Sequence, residues 1–90
     1  MNSFMVVSTF MQGTDMSEVM TVVAEEQAKV AELKEAGTIG ALYLATATRG
    51  TVFFEIFADD TDAARAIVAS LPMAKWWDID VFPINAPVQR

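Results

Sequence analysis

The sequence has neither histidine nor cysteine among its 90 residues. These two absences exclude disulfides, Cys or His nucleophiles, Cys/His zinc and haem sites, and the usual near-neutral acid/base. Acid–base chemistry therefore falls to a carboxylate or a phenol, and there is a single tyrosine. Positive charge is scarce too, with six Lys+Arg against twelve Asp+Glu and a formal net charge of -6. A nucleic-acid surface needs a basic footprint, so no nucleic-acid partner is expected. No run approaches the roughly 18 apolar residues of a membrane span, and no basic n-region precedes a small-residue cleavage site. No membrane association is expected, and the expected location is cytoplasmic. No metal or cofactor is expected either.

What is present is apolar. Hydrophobic residues make up 53% of the chain and charged ones 20%, enough to fold a single domain over residues 1–90. A chain this short buries only about 60% of its unfolded surface. The apolar surplus thus predicts that a second copy covers part of it, in a dimer or a larger ring.

Phe4 to Met11 is rich in β-branched and aromatic residues and reads as a strand, apolar on both faces. Gln12 to Asp15 breaks it, and Thr14 or Asp15 can cap the helix that follows. Val19, Val23, Val30 and Leu33 recur at helical spacing within Met16–Ala36, and Gly37 ends the run. Ile39–Thr46 and Thr51–Ala58 read as strands joined by a turn at 47–50. Asp59 to Asp62 forms an acidic helix start. A short helix follows over Ala63–Leu71, stopped by Pro72, and a last strand lies within Trp76–Ile84. The order β-α-β-β-α-β is the ferredoxin-like split βαβ pattern. It predicts an α+β fold with a four-stranded antiparallel sheet and both helices on one face. The other face is apolar as well, so two sheets are expected to pair in a dimeric α+β barrel.

One carboxylate sits out of place. At about 100° per residue, Val23, Val30 and Leu33 fall within about 40° of Val19 and mark the inward face. Glu26 falls about 20° from Val19, inside that stripe, while Glu25 and Glu32 lie on the solvated side. Burial there disfavours the charged form and raises the pKa, which suits a general acid/base. The bland alternative is a side chain that reaches past the helix or meets Lys34.

The other candidates are weaker. Trp76 and Trp77 point to opposite sides if extended, so one can pack while the other walls a pocket for a small hydrophobic substrate. The alternative is that both are packing residues. Tyr43 shares a strand face with Ile39, Ala41 and Ala45. Its hydroxyl could polarise a substrate carbonyl or simply reach the surface. Ser8, in mid-strand, lacks a base to make it a nucleophile and is kept as a binding candidate. Arg49, at a hairpin tip, could clamp a carboxylate or be solvated. Glu55 is a second possible buried acid, with an ion pair to Arg49 or Arg65 as the plainer reading. Asp78 and Asp80 share a strand face, but two carboxylates alone make a poor metal site.

The C-terminal stretch Leu71-Pro72, a spacer, then Asp78-Ile79-Asp80-Val81-Phe82-Pro83-Ile84 resembles the closing segment of muconolactone delta-isomerases. The helix segment Glu26-Gln27-Ala28 through Glu32-Leu33, ending at Gly37, is similar in character and placement, as are the length and element order. The resemblance implies a dimeric ferredoxin-like barrel, often built into larger rings. It also implies cofactor-free isomerisation of a five-membered unsaturated lactone, with Glu26 matching the family's helix glutamate. The second strand departs from the family pattern. Ala41 stands where a His would be, and Gly40 and Leu44 where basic residues would be. That lining suits a neutral, more hydrophobic substrate than anionic muconolactone. The expected function is therefore a cofactor-independent isomerase or cyclase acting on a small unsaturated lactone or enone. A non-catalytic binding or assembly protein on the same scaffold is the alternative, and a cofactor-free oxygenase a further one.

Overall fold

The computed structural model describes residues 2–47 and 50–85. Strand β1 (Asn2–Phe10) leads through a short helix α1 (Met16–Met20) into helix α2 (Val23–Glu35). Strands β2 (Ile39–Ala45) and β3 (Thr51–Ala58), helix α3 (Thr61–Ala69), a 3₁₀ turn (Pro72–Trp76) and strand β4 (Trp77–Ile84) follow. The sheet order is β2-β3-β1-β4, antiparallel throughout. This is the expected ferredoxin-like α+β arrangement.

The pleat sorts the apolar residues. Phe4, Val6 and Ser8 of β1 pair with Ile56, Phe54 and Val52 of β3, and all six are buried. Ala64 and Val68 of α3, with Leu71 and Trp77, complete the core on the helix side of the sheet. The opposite face carries Met5, Val7, Phe53 and Phe57, all half-buried in the single chain, with the exposed Phe82. Among the described residues no helix is long and apolar enough to cross a membrane.

Local signals place the helix ends. Asp15 caps α1, its Oδ1 accepting from Ser17 N at 2.9 Å and Ser17 Oγ at 2.6 Å. The Ser17 hydroxyl first, then its backbone N–H, holds the Asp15 carboxyl below its ordinary value. Asp60 caps α3 through Ala63 N at 2.7 Å. Gly37, at φ +79°, lets Thr38 N reach back to Leu33 O at 2.9 Å, which closes α2 in a Schellman turn.

One expected element changes. The single helix Met16–Ala36 is two helices, interrupted at Thr21 and Val22. Their backbone N–H groups bond three residues back, to Glu18 O and Val19 O, and Thr21 Oγ1 also donates to Glu18 O at 2.6 Å. A run of Thr21, Val22 and Val23 is β-branched and crowds a helical turn. The segment before the last strand, for which the sequence reading names no element, is the 3₁₀ turn, and β4 runs from Trp77 to Ile84, within the expected bounds.

The sequence also gave no sign of a β-bulge. Ile39 pairs with Ile56 and Leu42 with Phe54, so Gly40 and Ala41 together face Glu55. Glu55 Oε1 accepts from Ala41 N at 2.9 Å, and this bond stabilises the bulge. Glu55 is therefore neither free nor paired with Arg65, whose Nη1 donates to Ile79 O at 2.8 Å. A Cβ at Gly40 would overlap Glu55 Oε1 and stand 2.9 Å from Phe57 Cε2. Gly40→Ala is expected to drive the Glu55 carboxylate off Ala41 N and cost about 1 kcal/mol of stability. In a double-mutant cycle with Glu55→Ala, the share of that cost due to Glu55 should vanish while the share from the Phe57 contact stays. A cost that is unchanged in the Glu55→Ala background would contradict this reading.

Candidate functional site

Helices α1 and α2 stand over one end of the sheet without sealing against it, which leaves an open cavity of about 500 Å³. Val19, Val23 and Val30 line the helix side, and Phe10, Leu42, Val52 and Phe54 the sheet side. Met16 and Met20, both well exposed, stand at the mouth. Glu26 also lines the cavity, with Met73 beside it.

Glu26 is only 7% exposed. Its Oε1 accepts from Met73 N at 2.9 Å, while its second oxygen has no hydrogen-bond partner among the described residues. Pro72 opens the 3₁₀ turn, so the next N–H group has no carbonyl of its own turn to bond, and the carboxylate satisfies it. Burial is the larger influence and pushes the Glu26 carboxyl above the ordinary glutamate value, with the Met73 N–H pulling the other way. The Lys34 alternative is not realised. Lys34 lies on the cavity wall but is exposed and makes no ion pair among the described residues.

The remaining sequence candidates do not all converge on Glu26. Tyr43 pairs with Phe53, on the face of the sheet away from the helices, is 61% exposed, and does not line the cavity. The bulge is the cause. It puts Ile39 on the helix side and Tyr43 on the other, so the two do not share a face as the alternation predicted. Trp77 is 5% exposed and packs in the core, with its ring 5.9 Å from Phe10 and 5.7 Å from Phe54. Trp76 is half-buried under the Lys75 ammonium, 4.5 Å from the ring centroid, and does not line the cavity. Ser8 is fully buried. Arg49 lies outside the described residues. Asp78 and Asp80 are exposed, and among the described residues no group of acidic side chains could hold a metal.

The residue that sequence reasoning missed is Met73, which contributes a backbone N–H from 47 positions away. Its only local sign is the proline before it. Gln27, Leu44 and Thr46 also reach the cavity and carry no sequence signal.

The comparisons with known proteins bear on the family and the fold. A family model described as muconolactone delta-isomerase matches residues 3–88. Among solved structures, the crystal structure of muconolactone isomerase superposes with a TM-score of 0.73 at 20% identity, covering 97% of this chain and 93% of that one. At that identity the superposition speaks for the fold. No curated protein sequence matches the chain.

Proposed function

The chain belongs to the muconolactone delta-isomerase family, and from that premise we propose that it is a cofactor-independent isomerase with Glu26 as its acid/base. The observation that carries the reading is a nearly buried carboxyl inside an apolar cavity, its pKa raised by that burial. As a carboxylate, Glu26 takes a proton from a carbon conjugated to the carbonyl of an unsaturated lactone or enone. The C–H electron pair delocalises onto the carbonyl oxygen as a dienolate. The carboxylic acid so formed returns the proton to another carbon, and the double bond moves. One C–H bond breaks and one forms, with no net oxidation, so no cofactor is demanded. A carboxyl whose pKa is raised by burial serves both half-reactions better than an ordinary one, and a substrate filling the apolar cavity displaces water from beside the dienolate.

The lining favours a neutral substrate. Its cation, Lys34, is exposed at the wall, where water screens it. The test uses α-angelica lactone, a neutral unsaturated lactone, beside muconolactone, which adds a carboxylate. The expected result is double-bond migration well above the buffer rate, with α-angelica lactone the better substrate. No acceleration of either would overturn the proposal.

A second reading rests on the Met73 bond. Glu26 satisfies a helix-end N–H, which a purely structural glutamate would also do. On that reading the domain binds a small molecule or assembles without chemistry, and Glu26 titrates as an ordinary glutamate.

The same proposal includes a cytoplasmic location and a homo-oligomer. The half-buried face of Met5, Val7, Phe53 and Phe57 is apolar at its centre apart from Glu55, with Asp78 and Asp80 along its β4 edge, and a second copy's matching face would cover it. Sedimentation should give at least twice the 9.8 kDa chain mass. A single 9.8 kDa species at micromolar concentration would contradict pairing.

A further inference from the structure

Among the described residues, two buried polar atoms remain without hydrogen-bond partners, Ser8 Oγ and Trp77 Nε1. The register puts them together. On the helix side of β1, Ser8 lies between the row in which Phe10 pairs with Trp77 and the row in which Val6 pairs with Phe54. The Trp77 ring starts from β4 and comes within 5.9 Å of Phe10 and 5.7 Å of Phe54, one strand beyond β1. To do so it must cross β1 above Ser8. A small residue at position 8 makes that crossing possible. Alanine would serve as well for packing, so the hydroxyl is not explained by space.

Leaving such groups unpaired in a core costs on the order of 1–3 kcal/mol each, and native structures seldom tolerate it without a purpose. Phe10, Val52 and Phe54, which surround the pair, are also cavity-lining residues. Ser8 and Trp77 do not themselves line the cavity, but they pack against residues that do. An indole N–H can only donate, and a serine hydroxyl can donate. Neither carries charge.

We infer that Ser8 and Trp77 form a neutral two-donor subsite for the carbonyl oxygen of the substrate, a lactone or ketone, reached when the Phe10 ring at the cavity wall gives way. The inference rests on the isomerase reading above. It supplies what Tyr43 was expected to supply, since Tyr43 faces the other side of the sheet. As the proton leaves for Glu26, charge develops on that oxygen, and two donors held in a dry site stabilise it more than they stabilise the ground state.

The test uses 2(5H)-furanone as probe and cyclopentene, of the same ring size without an acceptor, as control. Binding is read from ¹H–¹⁵N spectra, with Trp76→Phe assigning the two indole signals. Furanone should shift the Trp77 indole proton downfield, and cyclopentene should not. Ser8→Ala should weaken furanone binding about fivefold and leave cyclopentene binding unchanged. Trp77→Phe, which keeps a ring against Phe54, should do the same. Furanone that moves the Val30 and Leu42 methyls but not the Trp77 indole would overturn the subsite and leave the isomerase proposal standing. Equal weakening of both probes by Ser8→Ala would also overturn it. Furanone that moves no cavity methyl would overturn the isomerase reading together with the subsite.

Discussion

Glu26→Gln should lower the isomerisation rate of α-angelica lactone by about 10²–10⁴-fold, the range that a positioned acid/base contributes. The amide has nearly the shape of the carboxyl, and its oxygen can still accept from Met73 N. The fold and any oligomer should therefore survive, and the loss should appear in kcat more than in KM. The same variant carries a stability signature of defined sign. Burial raises the folded-state pKa of Glu26 above its ordinary value, so the folded protein binds this proton more tightly than the unfolded chain. The stabilisation is full below the ordinary glutamate range and is lost as pH rises through the raised value. Above the raised value wild type has lost it, and Glu26→Gln, which never ionises, should be the more stable protein. Below pH 4 the difference should close. Unchanged turnover in Glu26→Gln would remove Glu26 from the chemistry. A variant less stable than wild type once pH exceeds the raised value would mean that the Met73 bond outweighs the burial cost.

Phe54→Ala should cost about 3–5 kcal/mol. Phe54 is among the largest fully buried side chains and stacks at a tilt on Trp77. It also forms part of the cavity floor, so its loss would merge core and cavity into one larger void. Single domains are stable by only about 5–15 kcal/mol, and for a chain of this size each kcal/mol moves Tm by about 4–8 °C. A fall in Tm of at least about 12 °C is expected by calorimetry at fixed protein concentration. Concentration must be fixed because association would itself raise Tm. A cost under 1 kcal/mol would mean that the core does not close around this ring.

Much of the fold is legible in the sequence because it rests on local patterns. The alternation of β1 and β3, the helical spacing of Val19, Val23, Val30 and Leu33, and the stops at Gly37 and Pro72 each follow from one stretch of chain. Glu26 was legible for the same reason, as a charge on an apolar stripe. The break at Thr21 and Val22 did not spoil that reading, because Val19, Val23, Glu26 and Val30 all still line the cavity. Tyr43 was misplaced because its face is set by a bulge, and the bulge is held by Glu55, fourteen residues away from Ala41. Nothing within β2 alone reports that bond. Met73 was invisible because it contributes only a backbone N–H. The crossing of Trp77 over Ser8 depends on two strand pairings at once, so neither residue signals it alone.

The central claim is that Glu26 is a desolvated carboxyl held in a cavity where it can both take and give a proton. The direct measurement is the ¹³C titration of the Glu26 side-chain carboxyl in the folded protein, assigned by its disappearance in Glu26→Gln. The account predicts a midpoint above the ordinary glutamate value of 4.5. A midpoint at or below 4.5 would contradict it, because it would show the Met73 hydrogen bond prevailing over burial and leave Glu26 a structural cap.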